Sequence, residues 1–157
     1  FVRGISNCSI SVALFDGDDP IFGVLATYPG GSIAWGGKKI GSFINHSKIQ
    51  VSSIKDSRKG VLCTGFPSRF QFNFNSMSAQ MDLMSKFGKV RMLGSASQSL
   101  LRVAQGSVDA YSEKGIMLWD VAAGIAIVEG AGGRVVMIKK SSEGLLDVIA
   151  DNSKLNL

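Results

Sequence analysis

Apolar and polar positions change rhythm once along the chain. Ser9-Ile10-Ser11-Val12 alternates with period two before running into Ala13-Leu14-Phe15, the pattern of a strand with one covered face. Asp16-Gly17-Asp18-Asp19-Pro20 is turn chemistry, and Ile21 to Tyr28 predicts a second strand. Pro29-Gly30-Gly31 turns the chain into a third strand, Ser32 to Trp35. Gly36-Gly37 and Gly41 punctuate the next turn, and Phe43-Ile44 and Ile49-Gln50-Val51 flank the turn Asn45-His46-Ser47. Up to about Ser57 these elements predict an antiparallel meander.

Beyond Ser57 strands alternate with helices. Gly60 to Gly65 predicts a short buried strand, and Phe70 to Asn75 a polar-aromatic loop. Met77, Met81, Met84 and Phe87 recur at helical spacing, which predicts a helix with a flexible methionine core face. Val90 to Leu93 predicts a strand. Gly94-Ser95-Ala96-Ser97 then opens a helix through Leu100, Leu101, Val103 and Ala104, closed by Gly106. Val108 to Tyr111 predicts another short strand, and Trp119-Asp120 opens a helix over Val121 to Glu129, stopped at Gly130. Arg134 to Ile138 and Leu145 to Ala150 close the chain as strands. Alternation of this kind predicts an α/β region with helices packed on a sheet. No internal repeat interrupts it.

Composition narrows the class. At 157 residues, 45% hydrophobic and only 18% charged, the chain is too apolar for a disordered segment. Its longest apolar stretch, Val121 to Val128, falls far short of the roughly 20 residues of a membrane span. The net charge of +5 sits in scattered pairs, Lys38-Lys39, Arg58-Lys59 and Lys139-Lys140, so it reads as solvated surface charge, with nucleic-acid binding the weaker alternative. Cys8 and Cys63 form no CxxC pair, and His46 is the single histidine. Both thiols are expected to be free and buried, in a reducing, cytoplasmic compartment. Phe1-Val2-Arg3-Gly4 opens neither on Met nor on a signal peptide, so the chain is expected to begin within a longer protein.

Three places carry candidate chemistry. Asp120, in Trp119-Asp120-Val121-Ala122-Ala123-Gly124, stands where a loop enters an apolar helix. Its spacing favours a helix N-cap, and the alternative is a hard-cation ligand, since carboxylate oxygen suits magnesium. Trp119 is expected to be packing. Gly94, Ser95 and Ala96 form a helix start whose outward N–H groups and dipole favour anions or hydroxyl oxygens, unless the turn is simply tight. Glu113, placed just after a strand and seven residues before Asp120, would serve a polar substrate or be a solvated loop acid. The chain lacks the P-loop order, GxGxxG and GxSxG.

Taken in order, these segments resemble the inositol monophosphatase family of magnesium-dependent, lithium-sensitive phosphatases. Trp119 to Gly124, running on to Glu129-Gly130-Ala131-Gly132-Gly133, resembles the family's C-terminal signature. Leu93-Gly94-Ser95-Ala96 resembles its Gly-Ser/Thr-Ala helix start, and Val108-Asp109-Ala110-Tyr111 its Asp-Ala-Tyr strand. Cys63-Thr64-Gly65-Phe66-Pro67 resembles a segment of bacterial-type members, and Phe1-Val2-Arg3-Gly4 the residues just after the Asp-Pro-Ile-Asp-Gly-Thr motif.

The resemblance implies the C-terminal part of a layered αβαβα sugar-phosphatase fold. Residues 1–57 would complete an N-terminal α+β domain, and residues 58–157 would form the C-terminal α/β domain. It implies Asp120 as catalytic residue and Mg2+ ligand, and Gly94, Ser95, Ala96 and Glu113 as substrate-binding residues for a small phosphorylated polyol or sugar. It also implies a homodimer, with neither membrane nor nucleic acid as partner. The family's other metal ligands lie in segments that would precede Phe1. Exposed apolar sheet surface is therefore expected, and a catalytically silent fragment or assembly module is the competing reading.

Overall fold

The structure, a computed structural model, describes residues 3–67, 70–139 and 144–155. The expected meander forms: β1 (Cys8–Asp16), β2 (Asp19–Tyr28), β3 (Ile33–Gly37), β4 (Gly41–Ile44) and β5 (Ser47–Ile49) pair antiparallel in sequence order. Asn45 takes the left-handed φ of +52° that the two-residue turn between β4 and β5 requires.

The second sheet is mixed. It has the order β7-β6-β8-β10-β9, from β6 (Val61–Thr64), β7 (Lys89–Arg91), β8 (Ala110–Met117), β9 (Arg134–Lys139) and β10 (Leu145–Asp151). β6 lies parallel to both β7 and β8, while β10 is antiparallel to its neighbours. The helices are α1 (Phe74–Met84), α2 (Ala96–Ala104) and α3 (Leu118–Gly130). The connection from β6 steps outward to β7, and the next steps back across β6 to β8. Right-handed crossovers in opposite directions place α1 and α2 on opposite faces of the sheet. The carboxyl ends of β6 and β8 thus border a point where the winding reverses, a place where α/β sheets form crevices.

α3 is apolar all round because it is covered all round. It packs against α2, against β1 to β4 of the first sheet and against β8 to β10 of the second. Val121 to Val128 are all buried. The main core joins Leu25 and Ala34 of the first sheet to Leu100, Val103, Ile125 and Ile127 of the helices and to Leu146 and Val148 of the second sheet. Ser42 reaches across it and donates to the Ile127 carbonyl at 2.7 Å.

Several expectations need correction. α1 carries no methionine core face: Gln80 is its buried residue, and Met81 is exposed, because α1 rides on the outside of the second sheet. Only Phe87 and the helix end at Leu83 and Met84 reach a small cluster with Leu62 and Leu155. α1 also starts within the predicted loop, at Phe74. β8 runs well past Tyr111, to Met117. Both cysteines are free, but Cys8 is only half-buried. Lys139 pairs with Asp18 at 2.7 Å, whereas Lys140, like Phe1 and Val2, lies outside the described residues.

The outer face of the first sheet is apolar and is left uncovered by the described residues. Ile10, Val12 and Leu14 alternate along β1 at 71%, 60% and 58% exposure. The register carries that face across Val12, Val24, Trp35 and Phe43, where the two rings stack at 4.5 Å. Val12→Lys should therefore reduce self-association and apolar-dye binding of the chain. Stability should change by no more than about 0.5 kcal/mol, as for other exposed positions. Light scattering and thermal melts of the two proteins check this.

Candidate active site

Five elements converge at the winding reversal. The end of β6 brings Thr64 and Gly65, the loop after β7 brings Met92, α2 brings its first turn, β8 brings Glu113, and the start of α3 brings Asp120. They line one cavity of about 560 Å3. The structure brings all five sequence-predicted residues together there: Gly94, Ser95, Ala96, Glu113 and Asp120.

Gly94 has a φ of +71°, which glycine adopts without strain, and so turns the chain sharply into α2. Ser95 is the N-cap, its hydroxyl accepting from the Gln98 N–H. Ser9 of β1 binds Ser97 Oγ at 2.7 Å, and the Gln98 amide donates to the Cys8 carbonyl at 3.2 Å. The first sheet is thereby tied to the helix start, and Asn7, Ser9 and Ser11 become part of the cavity wall. Sequence reasoning missed these wall residues, since nothing local to β1 marks them as neighbours of a segment nearly ninety positions away.

Glu113 is not a loop acid. It lies within β8, only 8% exposed, where alternation turns it inward. Its Oε2 accepts from the fully buried Tyr111 hydroxyl at 2.9 Å. Gly65 packs against the carboxyl so closely that a Cβ there would lie 2.8 Å from Oε2. Thr64, next to Gly65, donates to the Ser112 carbonyl at 2.7 Å and accepts from the Gln80 amide at 2.6 Å, which anchors α1 to the site.

Asp120 is not the N-cap either. Met117 holds that position without a side-chain bond, and Asp120 stands in the first turn of α3. Its carboxylate makes no hydrogen bond or ion pair among the described residues, and it borders the cavity. Trp119 is not packing: it is 63% exposed on the cavity rim, with Phe66 on the same cavity.

Desolvation pushes the Glu113 carboxyl above its ordinary range, Tyr111 opposes that through its hydrogen bond, and Asp120 adds to it. Desolvation pushes Asp120 up as well. The Tyr111 hydroxyl is also raised, by burial first and by Glu113 second. A carboxyl raised by folding stabilises the protein below its unfolded pKa, near 4.5 for Glu113, and that contribution is lost as pH climbs through the raised folded value. Glu113→Gln should therefore flatten the fall in melting temperature with rising pH above 4.5, as melts across a pH series would read.

Among the described residues no group of three or more His, Cys, Asp or Glu side chains could hold a metal ion. Asp120 is a hard oxygen donor at the site, and it is one donor only.

The comparisons define the class. The sequence pattern of the Inositol monophosphatase family matches residues 1–156, so the chain belongs to that family. It is 29% identical over 157 residues to "Fructose-1,6-bisphosphatase/inositol-1-monophosphatase" of Aquifex aeolicus, covering 99% of this chain and 59% of that protein. It is 34% identical to "Inositol-1-monophosphatase" of Synechocystis sp., covering 94% of this chain and 52% of that protein. Among solved structures it superposes on inositol monophosphatase from Anabaena with a TM-score of 0.82 and 32% identity, over 93% of this chain and 59% of that one. The chain thus spans between half and three fifths of the length of these relatives. The two sheets and three α-helices of the described residues accordingly form part of the longer family fold.

Proposed function

We propose that the complete protein is a magnesium-dependent phosphomonoesterase acting on inositol monophosphate or a related sugar phosphate. It would work in the cytoplasm as a homodimer, with residues 1–57 completing an N-terminal domain and 58–157 forming the C-terminal one. The observation that carries the reading is the convergence of Asp120, Glu113 and the start of α2 on one cavity, in a chain of this family.

Asp120 would hold Mg2+, together with ligands from outside the described residues. When bound, the cation would polarise a phosphoryl oxygen and lower the pKa of a water. The chain's own residues do the rest. Glu113 accepts a substrate hydroxyl on its free oxygen. The open N–H groups at Gly94, Ser95 and Ala96 donate to the polyol's oxygens. Ser9, Ser97 and Met92 form part of the cavity wall. No helix among the described residues is long and apolar enough to cross a membrane.

The test is phosphate release by the complete protein from inositol monophosphate and a panel of sugar and nucleotide phosphates. Release that needs magnesium and stops with EDTA is the expected result. A folded protein that releases phosphate from none of them would instead favour the silent-module reading.

A further inference from the structure

Glu113 has one saturated oxygen and one open one. Oε2 is taken by Tyr111. Oε1 has no hydrogen bond among the described residues, and none of their buried side-chain oxygens lacks a partner, so Oε1 is in contact with the cavity. The carboxylate is nine-tenths buried, yet among the described residues no Lys, Arg or His lines that cavity. Its neighbour Lys114 turns to the other side of β8 and lines a separate hollow with Pro67 and Phe70. Among the described residues the charged side chain that shares the cavity is Asp120, of the same sign.

A buried carboxylate without a cation is a costly arrangement that a ligand of opposite charge relieves. An ammonium does so better than a neutral hydroxyl, because its hydrogen bond is charge-assisted. The exposed face of Trp119, with Phe66 on the same rim, offers the second contact such a cation favours. A second phosphate or a carboxylate at this end would be repelled.

We propose that the cavity selects phosphate esters of amino alcohols or amino sugars, with the ammonium seated on Glu113 Oε1 beside Trp119. The ester half of the proposal rests on the phosphatase function; the ammonium seat does not.

The probes are glucosamine 6-phosphate and glucose 6-phosphate, which differ by an ammonium in place of a hydroxyl. Both are titrated into the full chain with magnesium, and binding is read by calorimetry. The amino ester should bind about tenfold more tightly. Glu113→Gln, close in shape, should erase that difference. Trp119→Leu, at an exposed position, should weaken the amino ester severalfold and leave the other nearly unchanged. Equal binding, tighter binding of the glucose ester, binding of neither, or a preference that survives Glu113→Gln would overturn the proposal. Binding of the amino ester without any phosphate release would contradict the phosphatase reading and leave the ammonium seat standing. Hydrolysis of both esters with equal kcat/KM would contradict the ammonium seat and leave the phosphatase.

Discussion

Asp120→Asn should reduce phosphate release by the complete protein about a hundred- to a thousandfold, the scale seen when one group that stabilises transition-state charge is removed. Asparagine keeps the shape and loses the negative charge a hard cation requires. The fold should not notice. Asp120 caps no helix, and its carboxylate holds no hydrogen bond or ion pair among the described residues. Asp120 is exposed, and the partial desolvation beside it disfavours its charge, so losing that charge should leave the melting temperature unchanged or slightly higher. Parallel assays and melts of the two proteins decide the matter. An active Asp120→Asn protein refutes the metal-ligand role, and an unfolded one returns Asp120 to a structural part.

Gly23→Ala should be among the costliest single methyls in the molecule. Gly23 sits in β2 where the first sheet meets α3. A Cβ there would lie 2.7 Å from the Cα of Ala123 and closer still to its carbonyl oxygen. All the opposing atoms are backbone of an apolar helix buried on every side, so no side chain can swing away. The sheet or α3 must move. Overpacking of this kind costs about 1–3 kcal/mol, and more where neither side yields. For a chain of this size each kcal/mol lowers the melting temperature by about 2–4 °C. Because α3 carries Asp120, ligand binding should weaken along with stability. A melting temperature within a degree of the unaltered chain would mean that the close packing of β2 on α3 is wrong.

The alternation of Ser9 to Val12 and the glycine-rich turns are enough to predict the meander, because every strand there is paired to its sequence neighbour. Ser95 marks the start of α2 for a local reason: its side chain caps the helix it precedes. The settings of Glu113 and Trp119 escape a sequence reading for a shared reason. Whether a side chain faces a core, a cavity or solvent depends on what lies across from it, and β8 continues because β10, about thirty residues further along the chain, pairs with it. The methionine spacing of α1 misleads in the same way, since helical periodicity marks a face without saying that anything covers it. The contribution of β1 to the cavity wall, through Ser9 and Ser97, is a contact between β1 and the start of α2, 88 residues apart, and leaves no local pattern.

The site itself rests on a cation meeting Asp120 in the cavity that holds Glu113. The direct measurement is nuclear magnetic resonance of this chain titrated with Mn2+, a paramagnetic substitute for Mg2+ that broadens only nearby signals and reports weak binding. Signals of Trp119, Asp120, Glu113 and the Gly94 to Ala96 turn should broaden first, and Asp120→Asn should abolish the effect. Broadening that begins at exposed acids elsewhere, such as Asp18 and Asp19 of the first hairpin, or that persists in Asp120→Asn, would contradict the placement of the metal and with it the catalytic reading of the cavity.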